Sequence, residues 1–265
     1  TGEQEMAWFV GATGNWRSAT GKPANLCMAS FGKKGERCGI PHEFGSTGWG
    51  VAQSTKTAAE LLGINIKGAR VAIHGFGNVG TFTYIYLTDM GASVVLIADK
   101  DGAVYSEDGF DQKIMKDLIK NKKSITAYPE GKKISEQDFW KTPVDILIPA
   151  SVTDVINDKN KNDIAAKIIV EAGNIPMQEN IEEELFKKDI MFVPDFVANA
   201  GGVISSYAEY RGYNPKRMFK TVEDKITKIT KNVLRRSLKE KKNPRIVALE
   251  MAKERIEEKR QDILT

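Results

Sequence analysis

The stretch Val71-Ala72-Ile73-His74-Gly75-Phe76-Gly77-Asn78-Val79-Gly80, answered by Asp99 at the end of Val94-Val95-Leu96-Ile97-Ala98, decides the reading of this chain. A short β-branched run, a glycine turn and a sequence able to continue as a helix form the layout of a dinucleotide site. Gly75 permits the tight turn out of the strand, Gly77 leaves room for a pyrophosphate against bare backbone, and Gly80 lets the helix pack closely on the sheet. The helix start adds free N–H groups and a positive dipole end. Glycine turns are common, but here the strand before, the helix after and an acidic residue about 20 positions on supply the required context. The pattern predicts binding of NAD or NADP; the plainer alternative is an ordinary strand-to-helix turn. Asp99 can accept hydrogen bonds from both hydroxyls of an adenosine ribose, which favours NAD. A 2′-phosphate there would meet a like charge, costing on the order of 1–4 kcal/mol. Lys100 can neutralise such a phosphate as a point charge, or it is simply a solvated loop lysine. NAD is expected first, NADP second.

Outward from this unit the α/β alternation continues. Asp145-Ile146-Leu147-Ile148-Pro149, Ala166 to Glu171 and Met191-Phe192-Val193-Pro194-Asp195 read as short buried strands with helical stretches between them. Before it, Glu3 to Trp16 reads as a helix with Met6, Phe9 and Val10 on its apolar face, and Val51 to Leu62 as another stopped by Gly63. Residues 18–50, rich in Gly, Pro and small polar side chains, read as a long loop, a length that is usually functional. The pattern weakens over 103–140, where only Phe110 to Lys120 reads as helix and the rest as polar connection. From Val203 the chain turns helical: about 203–211, Pro215 to Ser237 and Pro244 to Lys259. The fold expected is α/β, a doubly wound, mostly parallel Rossmann-type sheet followed by a helical C-terminal segment. Ligands of such sheets bind at the carboxyl ends of the strands. Gly75–Gly80, Asp99–Gly102, Pro149-Ala150-Ser151, Glu171–Pro176 and Asp195–Gly202 should therefore border one crevice.

Composition sets limits on function. With 41% hydrophobic and 28% charged residues, the 265-residue chain can build one large or two modest cores. The net charge of +4 is small, and segments such as Lys239-Glu240-Lys241-Lys242 read as solvated helix faces, so no nucleic-acid partner is expected. No apolar run approaches the roughly 18 residues of a membrane span. The start, Thr1-Gly2-Glu3-Gln4, has neither a signal-peptide pattern nor an initiator Met and reads as the middle of a longer protein. Cys38 and His42 have a CxxxH spacing, but a structural zinc wants four ligands and the remaining histidine, His74, lies in the first strand. No metal is expected. A disulfide between Cys27 and Cys38 is possible on spacing alone, but both are expected to be reduced thiols, because NAD-dependent enzymes normally work in the reducing cytoplasm.

With these pieces assembled, the chain resembles the glutamate/leucine/phenylalanine/valine dehydrogenases. The resemblance rests on Thr20-Gly21-Lys22-Pro23, Ser46-Thr47-Gly48-Trp49-Gly50-Val51, Gly75-Phe76-Gly77-Asn78-Val79-Gly80, Pro149-Ala150-Ser151, Ala172-Gly173-Asn174 and Pro194-Asp195-Phe196-Val197-Ala198-Asn199-Ala200-Gly201-Gly202-Val203. It implies a two-domain enzyme that oxidatively deaminates an L-amino acid to a 2-oxo acid and ammonia, passing hydride to NAD(P), and that assembles into hexamers or other homo-oligomers. Carried over by position, Gly75, Phe76, Gly77, Asn78, Val79 and Gly80 form the pyrophosphate turn, and Asp99 with Lys100 the adenosine-ribose end. Ala150, Asn174 and Asn199 line the crevice towards the nicotinamide, Thr47 meets the carboxamide, and Ser206 holds the substrate's γ-carboxylate. The plainer readings are helix caps for Asn174 and Asn199 and a helix-surface serine for Ser206.

The resemblance also implies a division into 1–50, a hinge helix and loop left from a substrate domain; 51–202, the dinucleotide domain; and 203–265, C-terminal helices packed on both. The family's catalytic lysine and aspartate fall before Thr1, so no catalytic residue is assigned in this chain. The arginine that the family often carries four residues before the threonine is replaced here by Glu43, and the loop from Leu26 to Phe44 looks longer than usual. Ser206 and the Thr20–Pro23 segment look like the glutamate branch, whereas Tyr210-Arg211-Gly212-Tyr213-Asn214 and Ala248 to Ile256 look like the leucine branch. L-glutamate is the substrate expected first, a branched-chain or aromatic amino acid second; a non-catalytic NAD(P)-binding module is the competing class.

Overall fold

A computed structural model describes residues 2–31 and 37–264. In chain order the elements are α1 (Glu3–Thr13), α2 (Ser46–Leu61), β1 (Arg70–His74), α3 (Asn78–Asp89), β2 (Ser93–Asp99), β3 (Gly102–Tyr105), α4 (Gln112–Lys120), β4 (Lys132–Ile134), α5 (Glu136–Lys141), β5 (Val144–Pro149), β6 (Ala166–Val170), α6 (Glu179–Lys187), β7 (Met191–Val193), α7 (Asp195–Ala198), α8 (Gly201–Tyr210), α9 (Pro215–Glu240) and α10 (Pro244–Leu264). The strands form one sheet in the order β4-β3-β2-β1-β5-β6-β7. Pairing is parallel from β2 through β7 and antiparallel at β2–β3 and β3–β4. The mostly parallel, Rossmann-type sheet read from the sequence is the one found.

Both faces of the sheet are buried, as strand alternation between two helical layers requires. Val71, Ile73, Ile146, Ile148, Ile168 and Val170 pack against Val51, Ala58 and Leu87 of α2 and α3 and against Val233, Leu234 and Val247 of α9 and α10. On the opposite face Ala72, Leu96, Leu147, Ile169 and Phe192 meet Phe139 and Trp140 of α5 and Ile181 and Leu185 of α6. Helix α9 starts cleanly, with Pro215 at its first position and the Asn214 side chain accepting from Arg217 N–H at 2.8 Å. Its Met218, Val222 and Ile226 form a smaller core with Ile40 and Ala208. Among the described residues no helix is long and apolar enough to cross a membrane.

Four local expectations need correction. Within the stretch read as polar connection, 136–141 is a helix, and residues 102–105 and 132–134 are strands. They pair across a long insertion (Val104 opposite Lys133), and β4 is a short lysine-bearing edge with no alternation to betray it. Ser46–Gly50, read as loop, begins α2. Its glycines mark close helix packing: a Cβ at Gly48 would lie 2.6 Å from Phe82 Cβ, and one at Gly50 3.2 Å from Gly201 Cα. Helix α1 ends at Thr13 with Val10 buried, but Phe9 is exposed, so its apolar face is narrower than expected.

The fourth concerns the cysteines, which are not free thiols: Cys27 and Cys38 form a disulfide. Met28 N–H donates to Arg37 C=O at 2.8 Å and Gly39 N–H to Leu26 C=O at 3.0 Å. Cys27 and Cys38 are thereby the non-hydrogen-bonded pair of a short antiparallel bridge, the pairing in which side chains come closest. Redox compartment, on which the expectation of free thiols rests, carries no information about this local geometry.

Candidate functional site

The chain reverses direction across the sheet between β1 and β5: β2, β3 and β4 lie on one side of β1, and β5, β6 and β7 on the other. The ends of β1 and β5 meet at the glycine turn. Gly75 has φ +104°, and a Cβ there would sit 2.7 Å from the backbone of Ala150 and Ser151, so this position is closed to other residues on both counts. A Cβ on Gly80 would lie 1.9 Å from the Gly75 carbonyl oxygen, which is how closely α3 approaches the strand. Gly77 differs. Its backbone, at φ −81°, suits any residue, and a Cβ built on it meets no atom within 4 Å. Gly77 is the N-cap of α3, and no side chain caps the helix there. The open space therefore faces uncapped N–H groups and the positive end of a twelve-residue helix. Asn78 is exposed and Val79 half-buried beside it, whereas Phe76 turns inward against Tyr84 at a ring distance of 5.9 Å.

At the end of β2, Asp99 and Lys100 fall in a tight turn, because the chain folds straight back into β3 (Asp99 opposite Gly102). One carboxylate oxygen of Asp99 accepts from Asp101 N–H and the other from Ile125 N–H, both at 2.8 Å. Lys100 extends into solvent, 88% exposed, with its ammonium 3.3 Å from Asp101. At the end of β5, Ala150 N–H donates to His74 C=O at 2.7 Å, and Ser151 Oγ lies 2.9 Å from His74 Nδ1. The imidazole stacks on Trp140 at 4.8 Å, and burial holds its pKa below the ordinary histidine value. This His74–Ser151 pair escaped the sequence reading, which weighed His74 only as a metal ligand.

The ends of β6 and β7 bring the two asparagines together. Asn199 donates its side-chain amide to Asn174 Oδ1 at 2.9 Å and to the carbonyls of Ala172 and Gly173 at 3.4 and 3.3 Å. Neither side chain caps a helix; they tie one crevice segment to the other. Thr47 sits in the first turn of α2 against α8, its hydroxyl 2.8 Å from where a Cβ of Gly202 would be. Ser206 is half-buried on α8. Lys22 does not reach the crevice. It is fully buried, its ammonium 2.8 Å from Glu209 and 4.3 Å from the Trp16 ring, and Glu209 also accepts from Gly21 N–H. The Thr20–Pro23 motif thus works here as a buried ion-paired anchor for α8. A cavity of about 300 Å³ lined by Trp16, Arg17, Arg37 and Tyr210 draws on none of the strand ends.

Comparison with known proteins bears on this arrangement. The sequence model of the family described as glutamate/leucine/phenylalanine/valine dehydrogenase matches residues 38–262. The chain belongs to this family. It is 40% identical over 211 residues to the NADP-specific glutamate dehydrogenase of Saccharolobus shibatae, a match covering 79% of this chain and 48% of that protein. It is 35% identical over 215 residues to the NAD-specific glutamate dehydrogenase of Clostridioides difficile, covering 79% and 50%. Among solved structures, the glutamate dehydrogenase of Peptoniphilus asaccharolyticus matches with a TM-score of 0.70 at 29% identity, covering 94% of this chain and 59% of that one. The hetero-hexameric glutamate dehydrogenase of Thermus thermophilus shares the fold, with a TM-score of 0.81 at 22% identity over 97% of this chain and 61% of that one. The chain spans about half the length of the curated relatives it matches.

Proposed function

We propose that this chain is the cofactor-binding half of an NAD(P)-dependent amino acid dehydrogenase that deaminates L-glutamate to 2-oxoglutarate and ammonia. The observation that carries the reading is the open, uncapped helix start at Gly77, set where β1 and β5 diverge. This is the place where open α/β sheets receive dinucleotides. Gly77, Asn78, Val79 and Gly80 would hold the pyrophosphate, and Asp99 with Lys100 the adenosine ribose. Ala150, Asn174, Asn199 and Thr47 would bound the nicotinamide end, and Ser206 would meet the substrate's side-chain carboxylate. When bound, NAD(P) supplies the hydride acceptor. The chain's own part is to orient it: the linked amides of Asn174 and Asn199 fix the rim, and neutral His74 with Ser151 closes the floor between β1 and β5.

The relatives named as glutamate dehydrogenases support glutamate as the substrate. A second reading, an apolar amino acid, is favoured by Val203 and Tyr207, which are exposed on α8 on either side of Ser206. Assembly with further copies is proposed on the same family grounds. No residue of this sequence matches the lysine and aspartate to which the family resemblance assigns proton transfer from the amino group. The polypeptide of these 265 residues should therefore bind NAD(P) without oxidising glutamate. Calorimetric titration with NAD and with NADP, beside an assay of reduced cofactor formation, tests both halves. Failure to bind either cofactor would sink the proposal, and glutamate-dependent turnover would place catalytic groups within this chain.

A further inference from the structure

Behind the asparagine rim lies a buried cluster that the proposed function does not use. Glu171 follows β6, Glu182 lies on α6, Asp195 begins α7 and Arg245 lies in the first turn of α10. Arg245 Nε donates to both oxygens of Glu182 at 2.7 and 2.8 Å, and its Nη2 donates to Glu171 Oε2 at 2.9 Å and Asp195 Oδ1 at 3.1 Å. Glu171 and Glu182 are fully buried, so three carboxyl groups share one guanidinium out of water. Ionising all three would leave a buried net charge of minus two, which a protein interior does not sustain. One of them must hold a proton.

Hydrogen bonding identifies which. Asp195 Oδ1 accepts from Phe196 N–H and Arg245, and Oδ2 from Ile175 N–H at 2.9 Å. Both Glu182 oxygens accept from Arg245. Glu171 Oε2 accepts from Asp195 N–H at 2.7 Å and from Arg245, but no donor faces the buried Oε1; a hydroxyl there donates to the neighbouring Glu182, whereas a carboxylate oxygen would be left buried and unsatisfied. The charged groups facing Glu171 are Glu182 from α6, Asp195 from α7 and Arg245 from α10; β7 faces it with the Val193 carbonyl. Burial first, and then the neighbouring Glu182, push the Glu171 carboxyl well above the ordinary range.

The cluster also holds the crevice rim. Glu171 adjoins Ala172, and Asp195 begins the short helix that ends at Asn199. Asp195 further pins Ile175, a β-branched residue at φ +48°, where such side chains are strained and persist only if held. We propose that Glu171 is carried as a neutral carboxylic acid and that, with Arg245, it is a positioning residue for the cofactor: its proton keeps residues 172–175 and 195–199 in their binding arrangement. Removing that proton adds an unmatched charge against Glu182 and Asp195, loosens Asp195 from Ile175 and opens the rim.

This inference rests on the crevice being the cofactor site, so its test has a part that does not need cofactor. Glu171 binds its proton more tightly folded than unfolded. The stability this contributes is complete below the ordinary carboxylate value of 4.5 and drains away as the pH rises above it. Glu171→Gln keeps the shape, keeps an acceptor for Asp195 and Arg245, and has no proton to lose. Between about pH 5 and 9, wild-type protein should lose thermal stability and bind NAD at least tenfold more weakly at the alkaline end. The variant should lose neither and should match wild-type affinity at neutral pH within about twofold. Infrared difference spectroscopy of the wild type should show the carbonyl stretch of a protonated carboxylic acid at neutral pH, whether or not NAD binds. Absence of that band, an unfolded Glu171→Gln variant, or a variant that keeps the wild-type pH slope would each overturn the proposal. A wild type that shows the band and the stability slope but binds NAD at no pH would overturn the cofactor reading and the positioning role together, leaving only the stored proton.

Discussion

Two neighbouring strands, β1 and β2, leave the sheet side by side, and their turns treat polar groups in opposite ways. At the end of β1 the helix start has no side-chain cap, and Gly77 opens onto empty space. At the end of β2 both oxygens of Asp99 already accept backbone N–H groups, from Asp101 and Ile125. The first turn leaves its hydrogen-bonding capacity open; the second spends most of its capacity on holding a hairpin and the insertion that follows. A ligand gains most where donors are unsatisfied beforehand, since it replaces only water there. The β1 turn should therefore carry affinity for a dinucleotide, and the β2 turn should do no more than trim its selectivity.

The sharpest way to separate fold from binding is to compare two glycines of the same turn. Gly80→Ala sets a Cβ against the Gly75 carbonyl oxygen at 1.9 Å, a contact made with backbone that cannot swing aside. The expected cost is about 3 kcal/mol of stability, the upper range for an overpacked site, read as a lower midpoint in urea. The Cβ of Gly77→Val meets no atom within 4 Å and the backbone is compatible, so its unfolding midpoint should stay close to wild type. Its NAD affinity should fall about 100-fold or more, equivalent to roughly 2.8 kcal/mol. If the two variants behaved alike, either both stable or both defective, the contrast drawn between these positions would collapse. If Gly77→Val bound NAD normally, the β1 turn would not be the site.

Which parts of this arrangement were legible in the sequence follows from how local their causes are. The β1 turn could be read because strand, glycines and helix lie within ten consecutive residues and each obeys a local steric rule. The five parallel strands were legible as short apolar runs, and α9 as a helix from Pro215, whose buried stripe starts at Met218, Val222 and Ile226. The β3–β4 edge was not, because Val104 finds Lys133 only after an insertion closes, and neither segment alternates. Nor was the first turn of α2, where Gly48 and Gly50 look like loop residues until α3 and α8 are packed against them. The Arg245 cluster was the least legible: Glu171 and Arg245 lie 74 positions apart, and each alone reads as an ordinary surface charge. Asp99 shows the intermediate case. Its position was read correctly as the end of the second strand, but its engagement with Ile125 N–H depends on the insertion and was invisible.

The smallest expected effect belongs to Lys100, and it tests the other side of the comparison. Two backbone donors soften but do not cancel the negative charge of Asp99. A 2′-phosphate beside it remains disfavoured, and NAD should bind more tightly than NADP. Lys100 could offset this, but its ammonium is 88% exposed and 3.3 Å from Asp101, so its charge is both screened and partly claimed. An exposed ion pair of this kind contributes about 0.2–1 kcal/mol. Lys100→Ala should accordingly weaken NADP binding by about threefold at low salt, leave NAD binding unchanged, and have no effect on NADP at high salt, where exposed charges are screened. Titrating wild type and variant with both cofactors at two salt concentrations reads all of this directly. A tenfold or larger loss of NADP affinity in the variant, from a wild type that prefers NADP, would show that the β2 turn selects by its lysine. The carboxylate of Asp99 would then be a purely internal brace for the hairpin, and the division of labour between the two turns would have to be redrawn.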